Sequence, residues 1–124
     1  MKVNIEKNDR YIVLTINEKN FTSANVSELK AEFAIQVAEG NTFIILNLEH
    51  VEFLDSSGLG AILNGDRNAK ENGGIFIIYG VNENVMTLFK IAKLDKVLSI
   101  TGTKKEAIDL LIFEELERDL KGTN

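Results

Sequence analysis

Apolar and polar positions along the chain form a pattern in which strands alternate with helices. Residues 3–7 alternate and residues 11–16 are largely apolar and β-branched, with a polar turn between them, which predicts an N-terminal β-hairpin. Residues 43–46 and 75–79 are continuous apolar runs, typical of central parallel strands that are covered on both faces. A short last strand is predicted over residues 96–100.

Apolar residues at helical spacing predict about four helices. Their predicted starts are near Thr22 or Ser23, at Gly58, at Asn82 and at Thr103. Thr103 and Glu106 have the spacing of a capping box, in which two free amides are satisfied reciprocally. The alternation implies an α/β fold with a mixed β-sheet, in which an N-terminal hairpin is followed by successive strand–helix units.

Length, composition and charge limit the kinds of protein that this chain can be. It has 124 residues, 44% of them hydrophobic, so we expect one domain over residues 1–120 and a frayed tail over residues 121–124. The net charge of −5 argues against a nucleic-acid partner, which needs a basic surface. The N-terminus lacks the apolar segment of a signal peptide, and no apolar stretch is long enough to span a bilayer. A cytoplasmic protein without membrane insertion is therefore expected.

Residues 53–60 read FLDSSGLG and place an acid, two hydroxyls and two glycines where a strand is predicted to lead into a helix. Ser57 lies at or near the first turn of that helix, where free amides and the positive end of the helix dipole accommodate a phosphate. Phosphorylation adds about −1.5 to −2 charges at neutral pH. Close to Asp55, that charge would repel an acidic partner. The alternative is that Asp55 and Ser56 only cap the helix and Ser57 is an ordinary first-turn residue.

Catalytic chemistry has little support in the sequence. His50 is the only histidine, and neither serine of the motif has the preceding glycine of a nucleophile elbow. Glu49, Glu52 and Asp55 offer oxygen ligands, but nothing in their spacing fixes a coordination set. We therefore expect no enzyme activity, no metal and no cofactor, and keep a hydrolase that uses Ser57 and His50 as a remote alternative.

Small or uncharged residues recur along the face of this helix that is predicted to point outward. They are Ala61, Asn64, Gly65 and Asn68. Glycine inside a helix costs roughly 1 kcal/mol relative to alanine, so Gly65 indicates either close approach of another chain or a weak residue that a well-packed domain tolerates. Leu110 and Phe113 lie off the main stripe of the last helix and fit either a weak homodimer or packing against a strand, so a monomer or weak homodimer is expected.

The motif and its surroundings resemble a known family. Residues 53–60, the glycine pair at 73–74 with the strand after it, and residues 82–86 and 91–98 resemble STAS domains. The resemblance covers essentially the whole chain, and it is closest to the bacterial anti-sigma factor antagonists. It implies a single STAS domain of the SpoIIAA-like type.

The resemblance also implies a function that depends on partner switching. Such an antagonist binds an anti-sigma factor, often a serine kinase, and so releases a sigma factor; the kinase phosphorylates the second serine of the motif, here Ser57, and a PP2C-type phosphatase reverses it. The expected partner-binding residues are Thr22, Asp55, Ser56, Ser57, Gly58, Gly60, Ala61, Asn64, Gly65 and Asn68. The alternative is a STAS-type subunit of a membrane transport assembly.

The chain departs from the family pattern at Ser27, which replaces a usual proline in the first helix, and more importantly at Thr22. Family members commonly carry an aspartate near the phosphorylated serine, and the aligned residue in this chain is Thr22. A carboxylate that could orient the Ser57 hydroxyl is therefore missing, and binding is a safer expectation than phosphorylation.

Overall fold

The computed structural model of the protein describes residues 2–122 and contains seven strands and four helices within that range. The strands are Val3–Lys7 (β1), Ile12–Ile16 (β2), Asn20–Phe21 (β3), Phe43–Asn47 (β4), Phe53–Leu54 (β5), Ile75–Tyr79 (β6) and Ser99–Thr101 (β7). The helices are Val26–Ala38 (α1), Ser56–Glu71 (α2), Glu83–Ile91 (α3) and Lys104–Gly122 (α4).

Five of the strands form the main sheet, in the order β1-β2-β4-β6-β7. β1 and β2 pair antiparallel, with Val3 opposite Ile16, and the other neighbours pair parallel. Parallel neighbours need crossover connections, and helices supply them between β2 and β7. The predicted α/β fold, with a mixed sheet, an N-terminal hairpin and four helices, is confirmed.

The two faces of the sheet are covered unequally. Helices α1, α2 and α3 contribute to the larger core, whereas α4 packs through Ala107 and Leu111 on the opposite face. Alternate residues of β4 and β6 therefore enter different cores; Ile44 and Ile45, for example, are both fully buried on opposite sides. Burial on both faces explains why these strands are continuous apolar runs.

The last strand begins later than predicted. The predicted strand covered residues 96–100, but β7 is Ser99–Thr101. The N–H groups of Val97 and Leu98 both donate to the carbonyl of Leu94, at 3.0 and 2.8 Å. These amides are used in a local turn and are not available to pair with β6.

The first helix also begins later than predicted. The carbonyl of Thr22 accepts from the N–H groups of Asn25 and Val26, at 2.9 and 3.1 Å, and the Asn25 side chain accepts from the N–H of Thr22 at 2.8 Å. Residues 22–25 thus form a closed turn, and regular helix starts at Val26 rather than at Thr22 or Ser23.

Helix α4 starts with half of the predicted capping box. The N–H of Glu106 donates to Thr103 Oγ1 at 3.1 Å, as predicted. The Glu106 carboxylate accepts from the Thr103 hydroxyl, also at 3.1 Å, rather than from its amide. The helix continues to Gly122, two residues into the segment expected to be a tail. Thr123 and Asn124 lie outside the described residues.

Candidate functional site

The FLDSSGLG motif forms the junction between β5 and α2. The helix starts at Ser56, two residues before the predicted start at Gly58, and Asp55 is its N-cap. Asp55 Oδ1 accepts from the N–H of Gly58 at 2.9 Å, which satisfies one of the free amides of the first turn. Ser56 is the first helical residue and is exposed; Ser57 is the second and is half-buried. The predicted capping role of Asp55 is confirmed.

A second, two-stranded sheet fixes the motif against the loop that precedes α1. β3 and β5 pair in parallel, with Phe21 beside Leu54, so Thr22 and Asp55 follow this pair on adjacent strands. Asp55 Oδ2 accepts from the N–H of Ser23 at 3.2 Å. Sequence reasoning missed this sheet because a two-residue strand carries no periodicity.

The carboxylate of Asp55 is held in its ionised form. The N–H of Gly58 lowers the pKa of Asp55 below its ordinary value of 3.8; partial desolvation opposes this effect, and the N–H of Ser23 adds to it. At neutral pH the start of α2 therefore carries a fixed negative charge two residues from the Ser57 side chain.

The two glycines of the motif have different surroundings. A Cβ on Gly58 would lie 2.5 Å from the carbonyl oxygen of Phe21, so no other residue fits between the first turn of α2 and β3. A Cβ on Gly60 would meet nothing within 4 Å, and this residue is exposed. Gly58 therefore allows the first turn of α2 to pack closely against β3, whereas Gly60 leaves an exposed surface without a side chain beside it.

Part of the predicted outward face of α2 is in fact internal. Ala61 is fully buried, and a Cβ on Gly65 would lie 2.4 Å from ring carbons of Phe33 on α1. The close approach at Gly65 is thus made by a helix of the same chain, and the prediction that Ala61 and Gly65 lie on the outward face of α2 is wrong. Asn64 and Asn68 are half-buried and remain at the surface.

The accessible part of this face follows one side of α2. Ser57, Gly60, Asn64 and Asn68 recur at three- and four-residue intervals, which places them on one side of the helix. The neighbouring side of the helix, which includes Gly65, packs on α1. The accessible candidate surface therefore starts at Ser57 and runs beside α1.

Similarity to known proteins extends over most of the chain. The sequence model of the STAS domain matches residues 2–107. The chain belongs to the STAS domain family. A Thermotoga neapolitana protein that is provisionally named an anti-sigma factor antagonist is 32% identical over 101 residues, which cover 82% of this chain and 88% of that protein. The anti-sigma F factor antagonist of Paenibacillus polymyxa is 29% identical over 97 residues, 78% of this chain and 82% of that protein.

Two solved structures of one similar protein include its phosphorylated form. The anti-sigma factor antagonist SpoIIAA in its unphosphorylated form has a TM-score of 0.69 at 25% identity, and the match covers 86% of this chain and 94% of that one. Its phosphorylated form, from Bacillus, has a TM-score of 0.68 at the same 25% identity, with 86% and 96% covered. The predicted family and the SpoIIAA-like fold are thus confirmed.

The described part of the structure does not bring the other candidate catalytic residue, His50, into a hydrogen bond with the motif serines. His50 is exposed in the turn after β4, and within residues 2–122 no hydrogen bond joins it to Ser56 or Ser57. The same range contains no group of three acidic or histidine side chains arranged to hold a metal ion. Nor does any of its helices combine the length and apolarity needed to cross a membrane.

Proposed function

We propose that this STAS domain is an anti-sigma factor antagonist that binds an anti-sigma factor through the start of α2 and so releases a sigma factor. Phosphorylation of Ser57 switches this binding off. The observation that carries the proposal is the position of Ser57, half-exposed in the first turn of α2 beside the ionised N-cap Asp55. The names of its relatives support the same function.

The switch rests on charge rather than on unfolding. A phosphate on Ser57 would add about −1.5 to −2 charges at the end of α2 where the helix dipole tolerates anions. The helix itself therefore survives the modification. Asp55 already uses the N–H of Gly58, so that amide is not free to neutralise the phosphate. The added charge stays beside the Asp55 carboxylate, where a docking partner would have to desolvate both.

The proposed binding surface is the accessible part of the predicted set, supported from beneath by three buried residues. Its accessible members are Thr22, Asp55, Ser56, Ser57, Gly60, Asn64 and Asn68. Gly58, Ala61 and Gly65 are buried and hold α2 in place. In this proposal the anti-sigma factor is itself the serine kinase, a PP2C-type phosphatase reverses the modification, and no residue of the chain is catalytic.

Thr22 makes the expected rate of modification low. It occupies the strand end next to Asp55, and its own hydroxyl accepts from the N–H of Ala24 at 3.3 Å. Its side chain can neither accept the Ser57 proton as a carboxylate would nor orient that hydroxyl by charge. Thr22→Asp should therefore raise the rate at which the kinase phosphorylates Ser57.

Phosphopeptide mass spectrometry, combined with affinity capture, tests the function in the native cell. Wild-type protein should capture an anti-sigma factor, and the peptide that contains Ser56 and Ser57 should carry its phosphate on Ser57. Capture of membrane transporter components alone would reject the proposal in favour of a transport subunit. Phosphate found on Ser56 and never on Ser57 would move the switch to the other serine.

A further inference from the structure

An apolar groove lies between β5 and α3, next to the proposed switch. It has a volume of about 330 Å³, and its floor includes Leu54, Val85 and Leu88. Two large apolar side chains at its edges are exposed: Phe53, with 54% of its surface accessible, and Ile91, with 73%. Groups of exposed apolar residues of this kind mark interaction surfaces more often than isolated ones do.

The hydrophobic core does not account for the exposed apolar residues of this groove. Leu54, the neighbour of Phe53 in β5, is 1% exposed and belongs to the core, so the strand already contributes its inward residue. Phe53, the preceding residue of the strand, faces the other side, and 54% of its aromatic surface is exposed. Aromatic residues are enriched at the centres of protein interfaces.

Two acidic residues, Glu52 and Glu83, directly precede the groove-lining residues Phe53 and Asn84. The side-chain amide of Asn82 donates to the carbonyls of Val51 and Glu52, at 3.3 and 3.2 Å, which holds the start of α3 beside the start of β5. Glu52 and Glu83 are therefore at the same end, and both are exposed. Neither takes part in an ion pair within residues 2–122, so both carboxylates are available to a basic partner.

The groove is continuous with the proposed switch along the chain. Phe53 precedes the N-cap Asp55 by two residues and Ser57 by four. One partner that covers the start of α2 can therefore also reach the groove. Lys90 and Lys93 lie towards the far end of α3, so the negative charge is concentrated at the end nearer to Glu52.

We infer that this groove is the second half of the surface that binds the anti-sigma factor. It takes an apolar side chain of that protein, flanked by a lysine or arginine that faces Glu52 and Glu83. The inference rests on the proposed function and assigns different roles to two neighbouring places. Contacts in the groove contribute affinity when the partner docks, and the charge on Ser57 decides whether docking occurs.

The test compares two groove variants with two matched controls. Phe53→Ala and Ile91→Glu change the groove, while Phe113→Ala and Ile35→Glu make the same replacements at exposed side chains, 57% and 49% accessible, on α4 and α1. The probe is the purified anti-sigma factor that the wild-type protein captures, titrated calorimetrically. We expect each groove variant to bind at least about tenfold more weakly, as for a central interface residue, and each control to bind within about twofold of wild type.

Methyl NMR on the wild-type protein provides a second measurement that does not depend on variants that fold. The Ile91 and Leu88 methyl signals should shift or broaden on addition of the anti-sigma factor, whereas the Ile35 methyl signal should not. Unchanged Ile91 signals, or groove variants that bind like wild type while Ser57→Asp does not bind, would overturn the groove and leave the proposed function intact. A wild-type protein that binds no anti-sigma factor would reject both.

Discussion

Gly65 provides a quantitative test of how α2 packs on α1. A Cβ added there would lie 2.4 Å from two ring carbons of Phe33, well inside the contact distance of about 3.5–4.0 Å between carbon atoms. The ring cannot move aside easily, because Phe33 is fully buried and meets Phe76 edge to face, with 5.7 Å between ring centroids. Gly65→Ala therefore forces the two helices apart.

The expected free energy follows from two opposing effects. Replacing a helical glycine by alanine stabilises the helix by about 1 kcal/mol. Overpacking a core typically costs about 1–3 kcal/mol, and the severe overlap at Gly65 favours the upper half of that range. We therefore expect Gly65→Ala to lower the free energy of unfolding by about 1–2 kcal/mol.

Gly60→Ala is the matched control, because it lies on the same helix with nothing within 4 Å of its added Cβ. It should raise the free energy of unfolding by up to about 1 kcal/mol. Urea unfolding measures the free energy of both variants, provided that its dependence on urea concentration is unchanged from wild type. The Phe33→Leu substitution should cost less in the Gly65→Ala protein than in wild type, since it makes room for the methyl group. Equal stabilisation by Gly60→Ala and Gly65→Ala would refute the packing described for Gly65.

Three further substitutions test the local contacts around the site and α4. The pKa of Asp55 is lowered in the folded protein, so its carboxylate should stabilise the fold above the ordinary value of 3.8 and lose this effect as the pH falls below it. The urea midpoints of wild type and Asp55→Asn should therefore differ at pH 7 and converge in acid. Arg118 donates to two carbonyls after α2, both at 2.7 Å, so Arg118→Ala should cost about 1 kcal/mol and speed amide exchange in the last turns of α4, unlike Lys121→Ala. Thr103→Ala should cost about 1 kcal/mol through loss of the N-cap, and unchanged exchange in the first turn of α4 would contradict that role.

Structural features that depend on burial, or on residues within three positions along the chain, could be predicted from the sequence. The runs at 43–46 and 75–79 indicated central strands, because a strand covered on both faces must be apolar at every position. Asp55 could be assigned as a cap because capping involves an amide three residues away. The position of Ser57 at a helix start suggested a phosphate acceptor, and the family resemblance selected it over Ser56; this role remains a prediction.

Features set by distant contacts were not readable. Periodicity showed that Gly65 was unusual but could not tell a second helix of the same chain from another protein, and the decisive neighbour, Phe33, is far away in sequence. The segment before β7 is apolar enough for a strand, yet the Leu94 carbonyl captures the amides that pairing would need. The apolar groove could not be predicted for a similar reason, since Phe53 and Ile91 line one groove only in the folded chain.

The most direct test of the switch compares binding before and after modification of Ser57. The captured anti-sigma factor is titrated calorimetrically with unphosphorylated protein, with protein phosphorylated on Ser57, and with Ser57→Ala. Phosphorylation should weaken binding at least tenfold, which is about 1.4 kcal/mol, and Ser57→Ala should bind like the unphosphorylated protein. Equal affinities for the phosphorylated and unphosphorylated forms would contradict the proposed switch at Ser57.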